Sequence, residues 1–390
     1  MAGDPLRGLG AIGVVLSHLA TTVVVFSGDD LSQGIPTALG DRYGLAGGVF
    51  LVGGLGLPIF LVLSGYLIGR PFIRAYLDGR SLPALGPYAR NRLLRIVPAF
   101  WLALTLYLVL LRPKGESPGQ TVAAYLFFQN HHPGPLADTA PHLWSVDVEV
   151  AFYVLLPLVA LVVWWATPRG WTRRARAGVV VALAGAAFLA SGAYRFSLPS
   201  DSDPTQTLPA TLCFFAPGLA LAAVEPLAVP RLGGRRLAVG LAWGLAAFAL
   251  ALIVVFILTT TELGDLFSGR AVGYLALAAG PAAMAAPLVL QWGGFPPWRL
   301  FRLRFLGWLG ERSYSFYLLH LLPGALFGDE LAPLARGGPW DMLLALVAIE
   351  LAILLPATEL SYRFGAALPA PQASAPPGHA QAGRLGDNRG

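Results

Sequence analysis

The sequence predicts an all-α integral membrane protein, a bundle of about ten transmembrane helices with both termini in the cytoplasm. Three observations lead there. Of the 390 residues, 56% are hydrophobic and only 12% are charged, and the mean hydropathy is +0.63, outside the range of soluble globular chains. Apolar runs close to the ~20 residues that cross a hydrocarbon core recur along the chain. The basic residues fall in the gaps between these runs, and alternate gaps differ sharply in how many they hold.

In order, the runs lie near residues 7–27, 44–68, 93–111, 144–166, 177–194, 207–224, 237–258, 270–290, 305–327 and 340–362. The first carries His18 within its apolar stretch and has no small-residue cleavage site, so it reads as a retained helix and not as a secretion signal. The second and eighth are rich in Gly or Pro, which membrane helices tolerate where neighbours cover the backbone. One set of alternate gaps collects 20 basic residues and the other 6, with Arg312 inside the ninth run, which places the termini on the cytoplasmic side. Residues 1–365 form one transmembrane domain, and 366–390, "AALPAPQASAPPGHAQAGRLGDNRG", is a Pro/Ala/Gly-rich stretch expected to be a disordered cytoplasmic tail.

Composition also excludes several classes. A single cysteine, Cys213, leaves no internal disulfide, and no Cys/His cluster has the spacing of a metal site. The net charge of +6 sits in loops, a topology signal and not a nucleic-acid footprint. No internal repeat of the kind many transporters carry is visible.

Six ionisable residues fall inside apolar runs: His18, Asp147, Glu149, Arg312, His320 and Glu350. Such residues are costly in lipid, about 2.5–3.5 kcal/mol for a carboxylate even on lenient scales, and mark functional sites by default. In "LRGLGAIGVVLSHL", Arg7 and His18 are 11 residues apart, which returns to about the same helix face some 16.5 Å further along the axis. That stripe suits a long anionic ligand with its charged head at Arg7 and its reactive end at His18; a membrane anchor and a helix–helix hydrogen bond explain the two residues equally well. In "RNRLLRIVPAF", Arg92 and Arg95 share a face, and guanidinium forks match phosphate oxygens or lipid headgroups.

In "HLWSVDVEVAFYVLLPLV", Asp147 and Glu149 are about 200° apart around a helix, so both cannot face one cavity. Ser145, Glu149 and Tyr153 form a polar stripe, which favours Glu149. Glu149 lies roughly 7–8 Å below the outer boundary and His18 about 16 Å above the inner one in a core of about 30 Å. The similar depths predict that Glu149 orients His18, as a carboxylate orients a general base; a structural carboxylate is the alternative. In "LGERSYSFYLLH", Ser313, Tyr317 and His320 share a stripe that also fits a packing face, and Arg312 reads as interfacial.

These pieces together resemble the acyltransferase-3 family of bacterial multi-span enzymes, which use cytoplasmic acyl-CoA to modify hydroxyls, often on surface glycans. The resemblance runs in order from residue 5 to about 363, through "LRGLGAIGVVLSHL", "IFLVLSGYLIGR", "RNRLLRIVPAFW", "LWSVDVEVAFYVLLPL" and "LGERSYSFYLLH". It implies that Arg7 and His18 are the family's essential pair, Arg92 and Arg95 its basic motif, Glu149 its acid after Trp-Ser, and Tyr317 and His320 part of its late Tyr-Leu-His motif. Where the family commonly reads Glu-Glu-Gln-Phe-Tyr, this chain has Glu149-Val150-Ala151-Phe152-Tyr153. The expectation is an acyltransferase of the bacterial plasma membrane. It would have no resident cofactor or metal, acyl-CoA (acetyl-CoA in the simplest case) as donor, and a sugar-containing acceptor. His18 and Glu149 would be catalytic, Arg7, Arg92 and Arg95 would hold the CoA phosphates, and Tyr153, Tyr317 and His320 would be further site residues. A multi-span transporter or flippase, or a non-enzymatic membrane partner, would share the buried charges but not turn over a thioester.

Overall fold

The computed structural model describes residues 4–29, 41–198, 203–228, 303–338 and 340–367, together with Ala38 and a few residues between 240 and 283. About half of the expected span at 237–258 and nearly all of that at 270–290 fall outside the described residues; of the tail expected over 366–390, residues 366 and 367 are helical and the rest falls outside. Among the described residues all regular structure is helical, and seven helices are long and apolar enough to cross a membrane. The elements that position the site are α1 (Asp4–Ser27), α2 (Leu45–Gly53), α3 (Gly56–Leu77), α4 (Leu85–Leu111), α5 (Trp144–Ala166), α6 (Arg173–Ser197) and α7 (Leu208–Ala228). They are followed by α8 (Arg304–Leu319), α9 (Leu322–Gly337), α10 (Asp341–Ile349) and α11 (Leu355–Ala367).

What surrounds the bundle is legible from α5. Val154, Leu158, Val162 and Trp165 follow one another down one face and are 53–84% exposed. A continuous apolar stripe of that kind is untenable in water and is the ordinary surface of a helix in lipid. The chain is a multi-pass membrane protein. Helix α1 is the opposite case: Val14, Leu19, Ala20, Val23 and Val24 are all buried, because α2, α3, α8, α9 and α10 pack around it.

Two of the expected spans need correction. The second run is not one helix over 44–68, because it breaks between Gly53 and Gly56 and its long half continues to Leu77. The ninth run, expected over 305–327, ends at Leu319 and restarts at Leu322, so neither α8 nor α9 is long enough to count among the seven. The tenth stands as one span, Asp341–Arg363, with a π-helical segment, Glu350–Leu354, joining α10 to α11. Such an insertion turns a residue out of register, and here it buries Glu350 at 4% exposure.

Close approach of helices sets the frame. A side chain at Gly310 of α8 would place its Cβ within 1.7 Å of the Asp4 carbonyl oxygen of α1, and one at Gly56 of α3 within 2.1 Å of the Gly10 carbonyl oxygen. Small residues at such crossings let backbones touch, the usual way helices associate in lipid. Gly310→Ala is therefore expected to lower stability by about 1–3 kcal/mol or more through forced separation of α1 from α8. Gly178→Ala on α6, which meets nothing within 4 Å, is expected to be neutral. Thermal melting followed by size-exclusion fluorescence compares the two.

Many of the arginines are absorbed by structure. Arg70 and Arg74 both pair with buried Glu225, at 2.9 and 3.2 Å, and so tie α3 to α7. Arg176, itself buried, donates to the carbonyl of Tyr76 at 3.1 Å and to those of Pro168, Arg169 and Trp171 around the loop before α6. Arg312 pairs with Glu359 and lies over the rings of Trp308 and Tyr362, at 4.7 and 4.3 Å. Ahead of α2, Arg42 forks onto Asp29 and reaches the Ala335 carbonyl at 3.0 Å. That guanidinium holds the Asp29 carboxyl below its ordinary range.

Candidate active site

One polar cavity opens among α1, α3, α4, α5 and α8. Its cations are Arg7 from α1 and Arg92 and Arg95 from α4. Helix α4 starts at Leu85, eight residues ahead of the apolar run, so Arg92 and Arg95 sit on regular helix one turn apart and point the same way. None of the three forms an ion pair among the described residues. Arg92 lies over the rings of Tyr88 and Tyr153, at 5.9 and 5.6 Å, which orients its plane without neutralising its charge.

The single carboxylate lining this cavity is Glu149. Its Oε1 accepts from the hydroxyls of Ser64, at 2.7 Å, and Tyr153, at 2.5 Å. Tyr153 is one helical turn on from Glu149, and Ser145 one turn before it, so α5 delivers all three to one side. Asp147 faces elsewhere, as the helical angle requires. It is 4% exposed and accepts from the Asn130 backbone N–H at 3.1 Å, while the Asn130 amide donates to the carbonyls of Trp144 and Gln206. Asp147 thus fastens the loop ahead of α5 and does not reach the cavity.

Helix α8 closes the cavity with Ser313, Tyr314 and Tyr317. Tyr314 donates to the Ile96 carbonyl of α4 at 3.2 Å. The Tyr317 hydroxyl lies 2.8 Å from Ser145 Oγ and 2.9 Å from the His142 carbonyl oxygen. Tyr317 also forms the boundary between the cavity and a cluster of three imidazoles. Its ring centroid is 5.4 Å from that of His142 and 5.5 Å from that of His320. His142 and His320 meet edge to face at 4.8 Å, and His320 Nε2 is 2.9 Å from His18 Nδ1.

The expected pairing of Glu149 with His18 is not what the structure contains. His18 meets His320, and Glu149 meets Ser64 and Tyr153. Equal depth fixes only one coordinate. Around the axis, α1 packs along α8 and turns His18 toward the end of that helix, whereas α5 packs against α3 and turns Glu149 toward Ser64. Ser64 and His142 belong to the site without having been singled out by sequence. Ser64 interrupts the apolar "IFLVLSGYLIGR", a visible signal, while His142 stands just ahead of α5 where it reads as a loop residue. Among the described residues there is no group of His, Cys, Asp and Glu able to hold a metal ion.

A family model described as an acyltransferase domain matches residues 4–358. The O-acetyltransferase OatA of Staphylococcus aureus is 26% identical over 170 residues, covering 40% of this chain and 24% of that protein. The putative peptidoglycan O-acetyltransferase YrhL of Bacillus subtilis is 26% identical over 340 residues, covering 80% of this chain and 50% of that one. The chain therefore spans half or less of the length of these relatives. No solved structure matches it. With the match extending from the start of α1 into α11, and so through every helix that lines the cavity, the chain belongs to the acyltransferase-3 family.

Proposed function

We propose that this protein moves an acyl group, acetyl in the simplest case, from cytoplasmic acyl-CoA to a sugar hydroxyl on a cell-envelope glycan or a glycosylated metabolite. It would do so in the bacterial plasma membrane, with both termini in the cytoplasm. The carrying observation is the cavity itself: three guanidiniums that form no ion pair among the described residues line it together with one carboxylate, leaving an excess of positive charge, and Tyr317 in its wall packs against His142 and His320. Phosphate oxygens are the natural complement of such a cradle. The names of the two relatives, both O-acetyltransferases and one of them for peptidoglycan, favour acetyl as the group and an envelope glycan as the acceptor.

In this reading Arg7, Arg92 and Arg95 hold the donor phosphates. The acceptor oxygen attacks the thioester carbonyl carbon while His18 takes its proton, the C–S bond breaks, and CoA leaves as the thiolate. A general base so placed contributes roughly 10²–10⁴-fold. The test is reconstitution in lipid nanodiscs with labelled acetyl-CoA and envelope glycan. Release of CoA thiol that depends on acceptor, matched by label on the glycan, is expected; label moved or bound with no thioester cleavage would sink the reading and favour a transporter.

A further inference from the structure

The histidine pair carries more information than its proximity to the cavity. We propose that His320 is a positioning residue that fixes the tautomer of His18, so that Nε2 of His18 is the atom that takes the acceptor's proton. The proposal rests on the acyl-transfer reading above for its chemistry, but its proton assignment follows from geometry alone.

A backbone carbonyl fixes the first proton. His320 Nδ1 is 2.6 Å from the Tyr317 carbonyl oxygen, which can only accept. His320 Nδ1 therefore carries a hydrogen. A neutral imidazole has one N–H, so His320 Nε2 is left as an acceptor. The 2.9 Å contact between His320 Nε2 and His18 Nδ1 then draws its proton from His18. With Nδ1 protonated, neutral His18 has a bare Nε2. The reverse assignment would require His320 to carry both protons, as a cation at 0% exposure with no carboxylate bonded to it among the described residues.

The fold holds this arrangement in several ways. His320 is the residue at which α8 ends, so the Tyr317 carbonyl is one of the terminal acceptors with no amide of its own helix to satisfy it. The break before α9 lets the His320 ring fold back onto it. The next carbonyl, that of Leu318, is taken by His142 Nε2 at 3.0 Å. The rings of His142 and Tyr317 then pack on two sides of His320, at 4.8 and 5.5 Å, and full burial leaves no water to compete. This is the geometry in which an orienting group holds a general base by its Nδ1–H. Here the orienting group is a neutral imidazole backed by a carbonyl, which avoids placing a second charge in the bilayer. When His18 gains a proton at Nε2, its Nδ1–H bond to His320 becomes charge-assisted and strengthens.

The test combines spectroscopy with two substitutions. In protein labelled with ¹⁵N-histidine, nitrogen shifts and one-bond N–H couplings show which His18 nitrogen is protonated, the signal being assigned by its loss in His18→Ala. Protonated Nδ1 and bare Nε2 are expected. In His320→Gln the amide oxygen can still accept from His18, and kcat is expected within about tenfold of wild type. In His320→Phe kcat falls about 10²–10⁴-fold, with donor KM unchanged and His18 losing its single tautomer. A bare Nδ1 in an active wild-type protein, or equal damage by Gln and Phe, overturns the proposal. If His320→Phe does not fold, the wild-type spectrum decides alone. Absence of acyl transfer by wild type, whatever the tautomer, overturns instead the reading on which the chemistry rests.

Discussion

His18→Ala is expected to lower acyl transfer by about 10²–10⁴-fold without unfolding the protein, because it removes the proton acceptor and little else. His18 is only half-buried on α1, and the helix keeps the contacts of Val14, Leu19 and Val23 on either side of it. The structural cost is one hydrogen bond and an unsatisfied His320 Nε2, about 1–3 kcal/mol. Donor binding, which depends on the arginines, should persist. Parallel measurements of turnover, donor affinity and melting temperature separate the outcomes, and full turnover by the alanine variant would remove His18 from the mechanism.

Glu149 gives the second large effect, and its variants divide structure from charge. Its Oε1 is the acceptor for two buried hydroxyls, those of Ser64 and Tyr153. Glu149→Leu strands both, at about 1–3 kcal/mol each, and frees Tyr153 from the position in which it underlies Arg92, so stability and activity should fall together. Glu149→Gln keeps an oxygen for the two hydroxyls and removes the single negative charge among three guanidiniums. Its melting temperature should stay near wild type while donor KM falls or holds, since the cradle becomes more positive. A loss of kcat in that variant then reports a need for the carboxylate itself. If Gln destabilises as much as Leu, the two-hydroxyl account of Glu149 is wrong.

The apolar runs made the membrane class and most of the helices legible, because lipid imposes a length and a polarity that any sequence must show. The breaks were legible only in part. In "YLLHLLPG" Pro323 has no amide for the Leu319 carbonyl, which marks a break there, but the sequence does not show how the end is held: His320 folds back on Tyr317 within a shell completed by His142, which comes from another part of the chain. Helical periodicity correctly separated Asp147 from Glu149 and grouped Ser145, Glu149 and Tyr153. It could not select the partner of His18, since that depends on how α1 is rotated against α8. The sorting of arginines was equally hidden. Arg70 and Arg74 look as available as Arg92 and Arg95 until Glu225, some 150 residues later, is seen between them.

In the proposed function Arg7, Arg92 and Arg95 make the cavity a phosphate cradle. Calorimetric titration of CoA into nanodisc-embedded wild type and the triple variant Arg7→Gln, Arg92→Gln, Arg95→Gln tests this. Each charge-assisted bond contributes about 1.5–3 kcal/mol, so the triple variant should bind at least about 100-fold more weakly, and wild-type affinity should fall as salt is raised. Equal CoA affinity in the two proteins, or binding indifferent to salt, would contradict the account.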